Sequence, residues 1–210
     1  MNARSSNWEQ CARRCGSAAF SLVELLITLA LMIVLATMMM SRYSKSFQQQ
    51  QLAQCEKNLQ SIHVALSLHA NDNKDVFPFV PAAKTSEEPL SLLVPKCTTR
   101  TEIFICPGTK AAKLPEGQPF AQGRISYAYY MGYPKDVKAT DALLSDRQVN
   151  TAPKHKGEPL FSEDGKKPGD NHTKFGGNIL FGDGHVESSR PKSAFELMFP
   201  EGVTLLNPQP

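Results

Sequence analysis

Apolar and polar positions divide the chain into three regimes. Between residues 20 and 40 it reads FSLVELLITLALMIVLATMMM, apolar on every side of a helix and interrupted by one charge, Glu24. At ~1.5 Å per residue such a helix is about 31 Å long, matching one bilayer crossing of roughly 30 Å. From residue 41 the pattern turns amphipathic. Leu52, Cys55, Leu59, Ile62 and Leu66 recur at alternating steps of three and four on one helical face, while Gln48, Gln51, Glu56, Lys57 and Gln60 form a solvated face. Asn71, Asp72 and Asn73, followed by Phe77-Pro78, stop the pattern. The expected element is one helix of roughly 50 residues, about 75 Å long at ~1.5 Å per residue, with its second half offering a stripe for a sheet to pack on.

Beyond residue 75 the pattern predicts short strands between Pro and Gly punctuation, over 102–105, 125–130, 178–181 and 185–187. The last two flank Gly182-Asp183-Gly184, and Asp-Gly between extended segments is a hairpin signal because the turn wants positive φ. Residues 107–123 and 150–171, rich in Pro, Gly and Lys, read as surface loops. The fold class this implies is α+β: a long N-terminal helix packed on a small antiparallel sheet. The expected parts are a polar N-terminal segment at 1–19, a membrane-embedded helical half at 20–40, an amphipathic soluble half at 41–75 and a β-rich globular domain at 76–210.

Composition changes this picture little. With 210 residues, 41% of them hydrophobic, the chain has room for one globular domain and an appendage. Its 23 basic and 20 acidic residues leave a net charge of +3, too balanced for the cationic footprint of a nucleic-acid binder. The placement of charge says more. Arg4, Arg13 and Arg14 against Glu9 ahead of the apolar run keep the N-terminus in the cytoplasm by the positive-inside rule, so the rest of the chain is expected outside. The run is longer than the apolar core of a cleaved secretory signal, about 7 to 15 residues. A plain signal anchor does not explain Glu24, whose carboxylate at that depth costs on the order of 2.5 to 3.5 kcal/mol and needs a partner.

Ala19 followed by Phe20-Ser21-Leu22-Val23-Glu24-Leu25-Leu26 resembles the prepilin signal of type IV pilins and type II secretion pseudopilins. In that family a short basic leader is removed just before a Phe, the new amine is methylated, and the fifth mature residue is Glu. Phe20 and Glu24 match this spacing, with Ala19 where the family usually has Gly. The resemblance implies cleavage between Ala19 and Phe20 by a prepilin peptidase and methyltransferase. It also implies an N-methylated Phe20 and a Glu24 that pairs with a neighbour's amine in low dielectric to set register. The alternative for Glu24 is a tolerated first-turn acid favoured by the helix dipole.

Further pieces widen the resemblance: Cys55-Glu56-Lys57-Asn58-Leu59, His69-Ala70-Asn71-Asp72-Asn73, Phe77-Pro78, Phe104-Ile105-Cys106-Pro107 and Ser126-Tyr127. They follow the order seen in pseudopilin-like proteins abundant in planctomycetes and verrucomicrobia. The C-terminal signature of those proteins is matched by His172, Gly176-Gly177-Asn178, Phe181 and Asp183-Gly184-His185, with ten residues rather than nine between His172 and Asp183. The resemblance implies a pilin-like fold and a non-enzymatic structural subunit in the bacterial inner membrane, crossing it once with its C-terminal domain periplasmic. The partners it implies are copies of itself and other pseudopilins in a filament, together with an inner-membrane assembly platform. The apparatus is left open between a secretion pseudopilus, a pilus and a competence filament, and Glu24 favours a major-type subunit.

Candidate chemistry is sparse. Cys11 and Cys15 lie in the leader, leaving Cys55, Cys97 and Cys106 for an extracytoplasmic domain where disulfides are permitted. Three thiols allow three single bridges or none, and the resemblance favours Cys55 with Cys106. His172, Asp183 and His185 are metal-ligand types, so the competing reading is a tethered binding protein or metal-dependent hydrolase with its site there. Ordinary hairpin chemistry accounts equally for Asp183 and His185. No nucleophile-elbow, zinc-protease or phosphate-loop motif occurs. Asn71 to Asp75 imitates a calcium loop but has Val76 where the loop needs Gly and Ala82 where it needs Glu. No cofactor is expected beyond a structural calcium ion, which the resemblance suggests in the C-terminal loops, with Asp146 and Asp183 as candidate ligands.

Overall fold

The computed structural model describes residues 21–120, 123–134 and 137–210, with backbone alone for 40–45. The cleavage pair Ala19 and Phe20 lies outside the described residues. The chain divides into two compact units, Met1–Ser44 and Lys45–Pro210.

In the first unit the described residues after Ser21 belong to helix α1, which spans Leu22–Asp72. Leu22–Met39 is long and apolar enough to cross a membrane, and none of its side chains is buried within the chain. Its two hydroxyls are satisfied inside the helix, Thr28 Oγ1 donating to Leu25 O at 2.9 Å and Thr37 Oγ1 to Val34 O at 2.8 Å. Such back-bonding lets a polar group sit in an apolar medium without an external partner.

In the second unit the later part of α1 meets a sheet. Of the expected stripe Cys55, Leu59, Ile62 and Leu66 are fully buried and Leu52 is half-buried, and Ala65 joins them nearly buried. Burying each such Leu or Ile stabilises the fold by about 1.5–3 kcal/mol. The helix ends at Asp72, within the expected Asn71-to-Asn73 stop, and Asp75 N–H bonds back to Ala70 O at 2.7 Å. A short helix α2, Glu87–Leu90, runs into a 3-10 turn over Ser91–Leu93.

Among the described residues the sheet has five strands: β1 (Tyr127–Met131), β2 (Ala142–Asp146), β3 (Gly177–Phe181), β4 (Val186–Ser189) and β5 (Thr204–Leu206). Their spatial order is β4-β3-β2-β1-β5 with every pairing antiparallel, so the fold class is α+β. All residues of β1, β2 and β3 are buried, because these central strands are covered on both faces. On the helix side Asn178 Nδ2 donates to Leu52 O at 2.9 Å and Asn58 Nδ2 to the Tyr127 hydroxyl at 3.3 Å. On the other side Tyr130 packs edge-on against Phe199 with ring centroids 5.8 Å apart.

The expected hairpin forms. β3 and β4 pair with Leu180 opposite Val186, Gly184 turns the chain at φ +86°, and its N–H bonds Phe181 O at 2.9 Å. The strand expected over 125–130 starts two residues later. The strand expected over 102–105 does not form: Thr101–Phe104 is a 3-10 turn. Adjacent Ile103 and Phe104 are both buried, which an alternating strand with one covered face cannot achieve. Thr101 Oγ1, donating to Leu114 O and Pro115 O, anchors the turn.

Candidate functional site: a buried Cys-Asp-His cluster

Four side chains from four separate segments converge between α1 and the sheet. Cys55 comes from the buried stripe of α1, Cys106 from the loop after the 3-10 turn, Asp146 from the end of β2, and His172 from the loop leading to β3. All four are fully buried, and their sulfur, nitrogen and carboxylate oxygen atoms lie within 4.8 Å of one another. His172 Nε2 stands 3.3 Å from Cys106 Sγ and 3.3 Å from Asp146 Oδ2. Its other nitrogen, Nδ1, is buried without a hydrogen-bond partner among the described residues.

The surrounding shell fixes the carboxylate. Asn171 Nδ2 donates to Asp146 Oδ1 at 2.8 Å and to Ser126 O at 2.7 Å, while the Asn178 backbone N–H donates to Asp146 Oδ2 at 2.8 Å. Gly108 N–H points at Cys106 Sγ, 3.3 Å away. Two glycines allow this close approach. A Cβ on Gly108 would lie 2.0 Å from Asn171 O and 3.2 Å from His172 Nδ1, and one on Gly177 would lie 2.8 Å from the Phe161 ring and 2.9 Å from Asp146 Cβ.

Burial raises the pKa of the Cys55 and Cys106 thiols, and the nearby Asp146 carboxylate pushes both further up. For His172 burial disfavours the charge, but the Asp146 carboxylate outweighs it and the pKa is raised. Burial also holds the Tyr127 hydroxyl, beside the cluster, well above its ordinary range.

The structure redistributes the residues singled out in the sequence. Cys55 and Cys106 are brought together, as the resemblance implies, but both are free thiols, as is the half-buried Cys97. His172 falls in the cluster despite the extra residue after it. Gly176 adopts φ +97° where a Cβ would meet Ser189 O at 1.9 Å, and Gly184 packs on the His63 ring, where a Cβ would come within 3.0 Å. These motif glycines therefore act in packing and turning. Glu24 is exposed in the first turn of α1.

Asp146 and Asp183 are not brought together. They lie at opposite ends of the paired strands β2 and β3, since Ala142 pairs with Phe181 and Ser145 with Ile179. Asp183 is exposed in the hairpin turn, where its Oδ1 accepts from His185 N–H at 3.0 Å and the carboxylate pairs with the His185 ring. A calcium ion takes about six to eight oxygen ligands. Asp146, facing two sulfurs and an imidazole, does not supply that environment, and the two aspartates cannot share an ion. The same separation divides the hydrolase site suggested by His172, Asp183 and His185. The supporting residues Asn171 and Gly108 were not foreseen, because their role exists only once distant segments meet.

Comparison of the chain with models of protein families, with curated proteins and with solved structures finds no match.

Proposed function

We propose that this chain is a pilin-like structural subunit that performs no chemistry of its own. It is made as a precursor, cut between Ala19 and Phe20 by a prepilin peptidase and methylated at Phe20. It is then assembled with copies of itself and related subunits into a filament of the type II secretion or type IV pilus kind. Before assembly it sits in the bacterial inner membrane with its sheet domain periplasmic, and an inner-membrane platform extracts it.

The observation that carries this reading is the division of labour along one helix. Its Leu22–Met39 stretch has no buried side chain in the chain itself, whereas its Cys55-to-Leu66 stripe is buried by the sheet domain. A contiguous apolar surface of that size requires an external apolar partner. Lipid satisfies it before assembly and neighbouring helices satisfy it afterwards. Glu24 is alone among the residues of that stretch in carrying a charge, and in the filament another subunit's amine supplies its counter-charge.

The test is incorporation. Glu24→Ala should be processed and folded like the wild type yet absent from sheared filaments, while Glu24→Asp should restore part of the assembly. Normal incorporation of Glu24→Ala would overturn the pairing role.

A further inference from the structure

We propose that Cys55, Cys106, Asp146 and His172 bind a zinc ion that pins helix α1 to the sheet. The inference concerns the second unit alone and does not depend on filament assembly.

Geometry carries it first. Zinc bonds of about 2.3 Å to sulfur and 2.0 Å to nitrogen or oxygen set ligand-to-ligand edges of roughly 3.3–3.8 Å in a tetrahedron. Here the His172 Nε2 edges to Cys106 Sγ and to Asp146 Oδ2 are both 3.3 Å, and no pair of ligand atoms exceeds 4.8 Å. One proton on Nε2 can point at only one of its two neighbours. A cation between the ligands satisfies the nitrogen, the sulfur and the oxygen at once.

The donor set selects the metal. Two sulfurs rule against calcium and magnesium, which take oxygen ligands, and a sulfur, imidazole and carboxylate set of four suits zinc. Four protein ligands in a fully buried site leave no open position for water or substrate, so the ion is structural. Two thiolates and a carboxylate exceed the dication by one negative charge. The N–H groups of Gly108, Asn171 and Asn178 point at that surplus, two of them orienting the carboxylate from outside. A Cys55–Cys106 disulfide, the rival use of the two sulfurs, employs only half of the convergence and gives Asp146 and His172 no part.

The experiment uses the full-length chain purified in detergent. Elemental analysis should give one zinc per chain, and X-ray absorption at the zinc edge should show two sulfur and two nitrogen or oxygen ligands. Added cobalt(II), after the zinc is stripped, should produce the intense visible bands of a tetrahedral thiolate site. Cys106→Ser and Asp146→Asn should each lose most of the zinc, and Asn171→Ala should weaken its retention by roughly 10- to 100-fold. A metal-free chain containing a Cys55–Cys106 bridge by mass spectrometry would overturn the proposal. So would free thiols that give no cobalt bands, or zinc retained in full by both ligand variants. The zinc content and cobalt spectrum of the wild type decide the matter even if a variant fails to fold.

Discussion

Two aspartate-histidine pairs in this domain share chemistry and differ in everything else. Asp183 and His185 are two residues apart, exposed, and held by the hairpin turn, with the imidazole stacked on Phe181 at a centroid distance of 4.5 Å. Asp146 comes from the end of β2 and His172 from the loop before β3; both are fully buried and lie against two thiols. The first pair keeps its hydration and is a consequence of the turn. The second has lost water on all sides, so its members depend on one another and on whatever else occupies the pocket.

The largest effect is expected from breaking the buried pair. Asp146→Ala leaves His172 and the amide donors of Asn171 and Asn178 without their acceptor and should destabilise the domain by about 3–5 kcal/mol, read from the denaturant midpoint of the detergent-solubilised chain. Gly177→Ala tests the same pocket by crowding. Its new methyl must displace the Phe161 ring and the Asp146 side chain, at a cost of about 1–3 kcal/mol in the same assay. His185→Ala should shift the midpoint least, because an exposed ion pair is screened by water and the turn keeps its Gly184 backbone. A loss from His185→Ala as large as that from Asp146→Ala would erase the distinction between the pairs.

Legibility in the sequence follows the same division. The helix was readable because its periodicity is local, and the stripe the spacing predicted is fully buried from Cys55 to Leu66, with Leu52 half-buried at its start. The hairpin was readable because Gly182-Asp183-Gly184 encodes its own turn. Strand β2, Ala142–Asp146, escaped notice because a strand buried on both faces shows no alternation, and β5 has only three residues. The cluster's members were each conspicuous, as a cysteine pair, an acid and a motif histidine. Their meeting was not, because it depends on strand order and on how α1 crosses the sheet, neither of which any short spacing records. The 3-10 turn at Thr101–Phe104 misled for a related reason, since two adjacent buried side chains imitate a strand in composition.

The most direct test of the proposed function is the mature N-terminus. The protein should be recovered from membranes of cells with and without the prepilin peptidase, then sequenced from its N-terminus and weighed intact. The account predicts a chain beginning at N-methylated Phe20 only where the peptidase is present. An uncut chain beginning at Met1 in both, or a cut after Ala36, would contradict it and leave the apolar helix as an anchor or a signal.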